Sequence, residues 1–186
     1  AIRQLKRFIA DWERKKTHRS KHKKSNISLP AADGRRIAII GAGPAGLTAA
    51  HDLALKKYRV TVFEKLPVAG GMMAVGIPSY RLPRDILKAE ISTIEEMGVN
   101  IRTGMTFGKD FNIQTLRSKG YSALFLAIGL HGSRKLGVVG ENLSGVFDGV
   151  SFLRDVALGK KVSTAEKLIV VGGGNVAIDV TMTARR

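Results

Sequence analysis

The segment from Ile37 to Glu64 restricts the fold more than any other part of this 186-residue chain. Ile37-Ala-Ile-Ile40 reads as a buried strand, and Gly41-Ala-Gly-Pro-Ala-Gly46 as a turn opening a helix that runs to about Lys57. Arg59-Val-Thr-Val-Phe-Glu64 reads as a second strand. Strands joined by a helix over so short a stretch must pair in parallel through a right-handed crossover. Each part of the turn has a physical task. Gly41 permits the tight bend, Gly43 has no Cβ to keep a pyrophosphate off the backbone, and Gly46 lets the helix lie close to the strand. Pro44 and Ala45 begin a helix whose N-terminus offers N–H groups to phosphate. Glu64, at the end of the second strand, is placed to accept hydrogen bonds from ribose hydroxyls. The pattern predicts a dinucleotide site. By itself it does not decide between a flavin and a nicotinamide dinucleotide.

A similar pattern recurs about 130 residues later. Lys167-Leu-Ile-Val-Val171 reads as a strand entering Gly172-Gly-Gly-Asn-Val-Ala177, with a helix continuing to Arg186. Between the two copies, Pro67 to Pro83 is irregular and rich in Gly and Pro, and Asp85 to Met97 is an amphipathic helix. Val99 to Arg102 is a short strand, Ile113 to Lys119 a short helix, Tyr121 to Ile128 a strand buried on both faces, and Val150 to Leu158 a helix. The expected fold is α/β: a Rossmann-like three-layer domain with a parallel sheet over 36–165, then the start of a second Rossmann unit over 166–186 that stops before its second strand. Residues 1–35 form an N-terminal helix with Leu5, Phe8, Ile9 and Trp12 on one face, then a basic linker.

Net charge is +16, a value that suggests nucleic acid until it is divided. Residues 1–36 carry 12 Lys/Arg against 3 Asp/Glu, or +9, and residues 37–186 carry 19 against 12, or +7. Over half the excess therefore sits in the first fifth, mainly in Arg14 to Lys24, where no Phe, Tyr or Trp interleaves to stack bases. The run reads as a solvated linker, with a docking site for an acidic partner or nucleic acid as the alternative. There is no cysteine, which rules out disulfides, thiolate metal sites and protein-held iron–sulfur clusters within the chain. His18 and His22 read as solvated and His51 and His131 as isolated, so no metal cluster is expected; nor does Gly-x-Ser-x-Gly occur. No apolar run approaches the roughly 18 residues of a membrane span. A cytoplasmic location is expected.

Three further stretches carry a family resemblance. Glu64-Lys-Leu-Pro-Val-Ala-Gly-Gly-Met-Met73 with Gly76-Ile-Pro-Ser-Tyr-Arg-Leu-Pro83, Tyr121 to Gly129, and Gly172 to Asp179 together resemble the glutamate synthase small-subunit family, which includes the flavin half of dihydropyrimidine dehydrogenase. Ile2 to Asp11 is similar to the helix that follows that family's cysteine-rich iron–sulfur segment. The resemblance implies FAD at the first turn and NAD(P)H at the second. It places Gly43, Pro44 and Ala45 at the pyrophosphate, Glu64 and Lys65 at the adenosine, and Gly71 and Met72 along the cofactor. Arg81 would reach FAD, Phe107 would meet the adenine end through its backbone, and Gly129 would sit in a flavin-side turn. Gly172, Gly174, Asn175, Val176 and Ala177 would hold NAD(P)H. The implied activity is hydride transfer from NAD(P)H to FAD, then onward to iron–sulfur clusters outside this chain or to a larger partner subunit. The Gly140-Glu141 turn reads as structural. Two rivals stand beside this reading: a basic nucleotide-binding module that docks without chemistry, and a dehydrogenase that uses NAD(P) alone.

Overall fold

A computed structural model describes residues 2–19 and 34–186. The 25–33 stretch, His22 and most of the expected basic linker lie outside the described residues. The first helix, α1 (Ile2–Arg19), continues through the opening of the basic run. Its stripe of Leu5, Phe8, Ile9 and Trp12 is more than half exposed at each position.

The expected core follows. Strand β1 (Arg36–Ile40) leads through the glycine turn into α2 (Pro44–Leu55), and β2 (Arg59–Phe63) returns parallel to β1, with Ile37 opposite Val60 and Ile39 opposite Val62. Lys57, at φ +67°, turns the chain out of α2. A short helix α3 (Met72–Val75) lies inside the stretch expected to be irregular, and α4 (Arg84–Glu96) leads to β3 (Asn100–Arg102). Helix α5 (Ile113–Ser118) then precedes β4 (Tyr121–Leu126). All pairings are parallel, in the order β3-β2-β1-β4.

Side-chain alternation along β1 explains the layers. Ile39 points to one face, where it packs with Ala50 and Ala54 of α2, Val60 and Val62 of β2, and Met97. Ala38 and Ile40 point to the other, against Phe111, Leu116 of α5 and Tyr121. The strand reads as unbroken apolar sequence because both of its faces are covered. A third cluster, Leu47, Val75, Leu87 and Ile91, binds α2, α3 and α4 together.

Two expectations fail here for one physical reason. The 121–128 segment is not buried on both faces: β4 ends at Leu126, lies at the sheet edge, and leaves Leu126 and Ile128 about 60% exposed. The 167–171 segment forms no strand at all, and Ile169 is 90% exposed. A β-strand exists through its neighbours. Among the described residues, β4 has only β1 beside it, and residues 167–171 have no strand beside them. The chain closes with α6 (Gly149–Ala157) and α7 (Asn175–Ala184), which pack closely where Gly149 faces Val176 and Val180. No helix among the described residues is long and apolar enough to cross a membrane.

Candidate nucleotide-binding site

The first glycine turn leaves the C-terminal end of β1, beside the ends of β2 and β4. Gly41 adopts φ +108°, and a Cβ there would sit 2.2 Å from the Ala127 carbonyl oxygen, so the chain leaving β4 itself demands a glycine. A Cβ on Gly46 would lie 1.9 Å from the Gly41 carbonyl oxygen, which shows how tightly α2 seats on the strand. Gly43 differs from both. Its φ is −79°, and a Cβ would meet only the Gly71 Cα, at 3.9 Å. Nothing within the described chain requires glycine at position 43, and the face it leaves bare lies at the mouth of α2. Pro44 at the first helical position has no N–H to satisfy, and the first-turn N–H groups of Ala45 and Gly46 have no carbonyl one turn earlier in the helix. Residues 44 and 45 are exposed. Open backbone, first-turn N–H groups and the positive end of the helix dipole suit a pyrophosphate, so the residues present fit a dinucleotide.

Three other segments join this turn. The Gly70 N–H donates to the Ala42 carbonyl at 2.8 Å, and Gly71, at φ +54°, abuts Gly43 so closely that a Cβ would lie 2.7 Å from the Gly43 Cα. Glu64 is 6% exposed. Its Oε2 accepts from the Ala42 N–H and its Oε1 from the Leu66 N–H, both at 2.8 Å, so the carboxylate ties the glycine turn to the loop after β2. Each oxygen keeps a lone pair for a further donor. The Met105 N–H donates to the Glu64 carbonyl, which brings the 105–111 segment to the same end of the sheet. There Phe107 packs edge-on against Phe111 at 5.6 Å between ring centres.

The remaining sequence-predicted residues fall in different places. Lys65 is exposed beside Glu64, Met72 is partly buried at the start of α3, and Gly129 lies past the end of β4 at φ +66°. Arg81 makes an ion pair with Asp179 of α7, with 2.7 Å between Nη1 and Oδ2. The second turn, Gly172, Gly174, Asn175, Val176 and Ala177, opens α7 as expected. Gly172 has φ +128°, a Cβ there would stand at ordinary contact distance from the Ala177 methyl, and Gly174 caps α7. Sequence reasoning missed two residues here. Arg84 donates to the carbonyls of Met73 and Ile77 at 2.8 and 2.7 Å, and burial lowers its pKa. Asp179 was legible only as the one acid of the 175–184 helix. The Gly140-Glu141 turn is held by the Glu141 carboxylate, which accepts from the Leu136 and Gly137 N–H groups; these bonds lower its pKa.

Comparison with known proteins bears on what such a site does. The family described as pyridine nucleotide-disulphide oxidoreductase matches residues 35–186. The NADP(+)-dependent formate dehydrogenase subunit beta of Moorella thermoacetica is 46% identical, an alignment that takes in 100% of this chain and 29% of that one. The NAD-dependent dihydropyrimidine dehydrogenase subunit PreT of Salmonella typhimurium is 36% identical over 99% of this chain and 43% of its own. Among solved structures, the Mycobacterium tuberculosis oxidoreductase FprA superposes with a TM-score of 0.57 at 27% identity, over 66% of this chain and 28% of that one. The chain thus spans less than half the length of the curated relatives it matches.

Proposed function

The chain belongs to the pyridine nucleotide-disulphide oxidoreductase family, and from that premise we propose that residues 36–165 hold FAD while residues 166–186 open an NAD(P)H site. The observation that carries this reading is the joining of Gly43, Gly71 and Glu64 into one backbone platform at the C-terminal edge of a parallel sheet. When bound, the flavin supplies hydride acceptance from reduced nicotinamide and onward release of electrons. The chain's own residues bind and orient. Gly43, Pro44, Ala45 and the α2 N-terminus receive the pyrophosphate, and Glu64 and Lys65 meet the adenosine. Gly71 and Met72 line the way toward the flavin ring, with Arg81 and Gly129 on the flavin side and Phe107 at the adenine end. Gly172, Gly174, Asn175, Val176 and Ala177 receive the nicotinamide dinucleotide. Hydride transfer needs no general acid or base from the protein, and none is assigned.

In the complete protein, electrons then pass to iron–sulfur clusters or to a larger partner subunit. Support for a partner comes from the relatives, which are themselves named as subunits. A cytoplasmic setting accords with that chemistry.

The test is an absorbance spectrum of the complete protein after incubation with FAD and desalting. Retained flavin bands in the wild type, lost in Gly43→Val, are expected. A wild-type protein without flavin refutes the assignment and favours the NAD(P)-only reading.

A further inference from the structure

The loop that follows the glycine pair of the first site is tied to the helix of the second glycine turn. Asp179 lies midway along α7 and is 5% exposed. Its Oδ2 accepts from Arg81 Nη1 at 2.7 Å. The Tyr80 hydroxyl stands 3.4 Å from both the Oδ1 and the carbonyl oxygen of Asp179, and the Arg186 guanidinium lies over the Tyr80 ring at 4.0 Å. Two consecutive residues of one loop therefore grip one helix, 98 positions away in sequence.

The grip continues in both directions. Toward the first site, Arg84 holds the Met73 and Ile77 carbonyls, α3 begins just after Gly71, and Gly71 abuts Gly43. Toward the second, Asp179 stands five residues beyond Gly174, the N-cap of α7. Asp179 is the buried residue of a helix whose Val176, Ile178 and Met182 are exposed. A buried carboxylate is costly unless paired, and its pairing with a half-exposed arginine adds little net stability. What such a pair supplies is registry: it specifies one arrangement of the two elements over a slipped one.

We propose that Asp179 is a positioning residue which, through Arg81, registers the helix of the second glycine turn against the loop of the first site and so aligns the two nucleotides. This rests on the proposed function. It assigns Asp179 a role in ordering the two sites, not in contacting either cofactor.

The experiment uses the complete protein with Asp179→Asn and, as a charge-preserving control, Asp179→Glu. Three quantities are read: FAD retained after desalting, KM for NADPH and for NADH, and hydrogen exchange of segments 78–83 and 175–184 without nucleotide. Asp179→Asn is expected to speed exchange in both segments together and to raise the nicotinamide KM about tenfold, within the usual range of coupling between sites. FAD content stays at the wild-type level, and Asp179→Glu recovers part of the KM. Wild-type exchange and KM in Asp179→Asn overturn the inference. So does loss of FAD with faster exchange throughout the domain, which marks a general packing role. A wild-type protein that binds no FAD overturns the proposed function itself, and this inference with it.

Discussion

Gly46→Ala and Gly43→Ala are the same chemical change three residues apart, and the structure assigns them opposite consequences. The added methyl at position 46 would begin 1.9 Å from the Gly41 carbonyl oxygen, roughly 1.5 Å short of the 3.4 Å at which ordinary contact starts. The obstacle is backbone, so no side chain can swing aside, and α2 must lift from β1. Overpacking of this kind costs about 3 kcal/mol. Alanine's better helix propensity returns at most about 1 kcal/mol. The net loss is about 2–3 kcal/mol, which lowers Tm by roughly 4–12 °C for a chain of this length. At position 43 the methyl meets only the Gly71 Cα at 3.9 Å and φ is negative, so Gly43→Ala costs under about 1 kcal/mol. Its methyl nevertheless occupies the face assigned to the pyrophosphate. Thermal unfolding by far-UV circular dichroism, with flavin content after desalting, separates the two. Gly46→Ala should be the unstable variant and Gly43→Ala the stable one that no longer holds flavin. Equal Tm values, or Gly43→Ala the less stable, refute the reasoning.

Two further predictions concern the acids that hold loops in place. Glu64→Ala strands the buried Ala42 N–H, at about 1–3 kcal/mol, and loosens the part-buried Leu66 N–H, so it should lower Tm even without cofactor; an unchanged Tm in the cofactor-free protein contradicts this. Burial raises the pKa of Asp148, but hydrogen bonds from the Ser133 and Ser151 hydroxyls and the Val150 and Ser151 N–H groups outweigh it and leave the pKa below the ordinary aspartate value. A depressed folded-state pKa stabilises above the unfolded value and ceases to do so as pH falls through the folded one. Asp148→Ala should therefore cost about 0.5–1 kcal/mol at neutral pH, near the low end because the site is exposed, with the gap to wild type closing below about pH 4. Paired melts across that range check it.

What the sequence made legible was local. The β1–α2–β2 unit could be read because strand period, turn glycines and terminal acid all fall within one short stretch, and each has its own physical reason. The conditional features were not legible. The apolar run around Ile169 has the composition of a strand but does not form one when nothing pairs with it, and β4 reads as central from its composition while standing at an edge. Arg81 shows the same limit at the site. Its place in the Tyr-Arg-Leu-Pro turn implied contact with FAD; that it also pairs with a carboxylate 98 residues on lies beyond the reach of any local pattern. Arg84 escaped notice because its partners are backbone carbonyls, which every residue carries.

The single tryptophan of the chain, Trp12, lies on α1, more than half exposed, with the Lys16 ammonium 4.9 Å from its ring. Intrinsic tryptophan emission therefore watches a helix surface and not the interior of the sheet domain. A denaturant titration followed by that signal would report the fraying of α1 while the nucleotide platform remained intact. Any partner that settles on the stripe of Leu5, Phe8, Ile9 and Trp12 would announce itself as a blue shift, without a label and without disturbing the cofactor site.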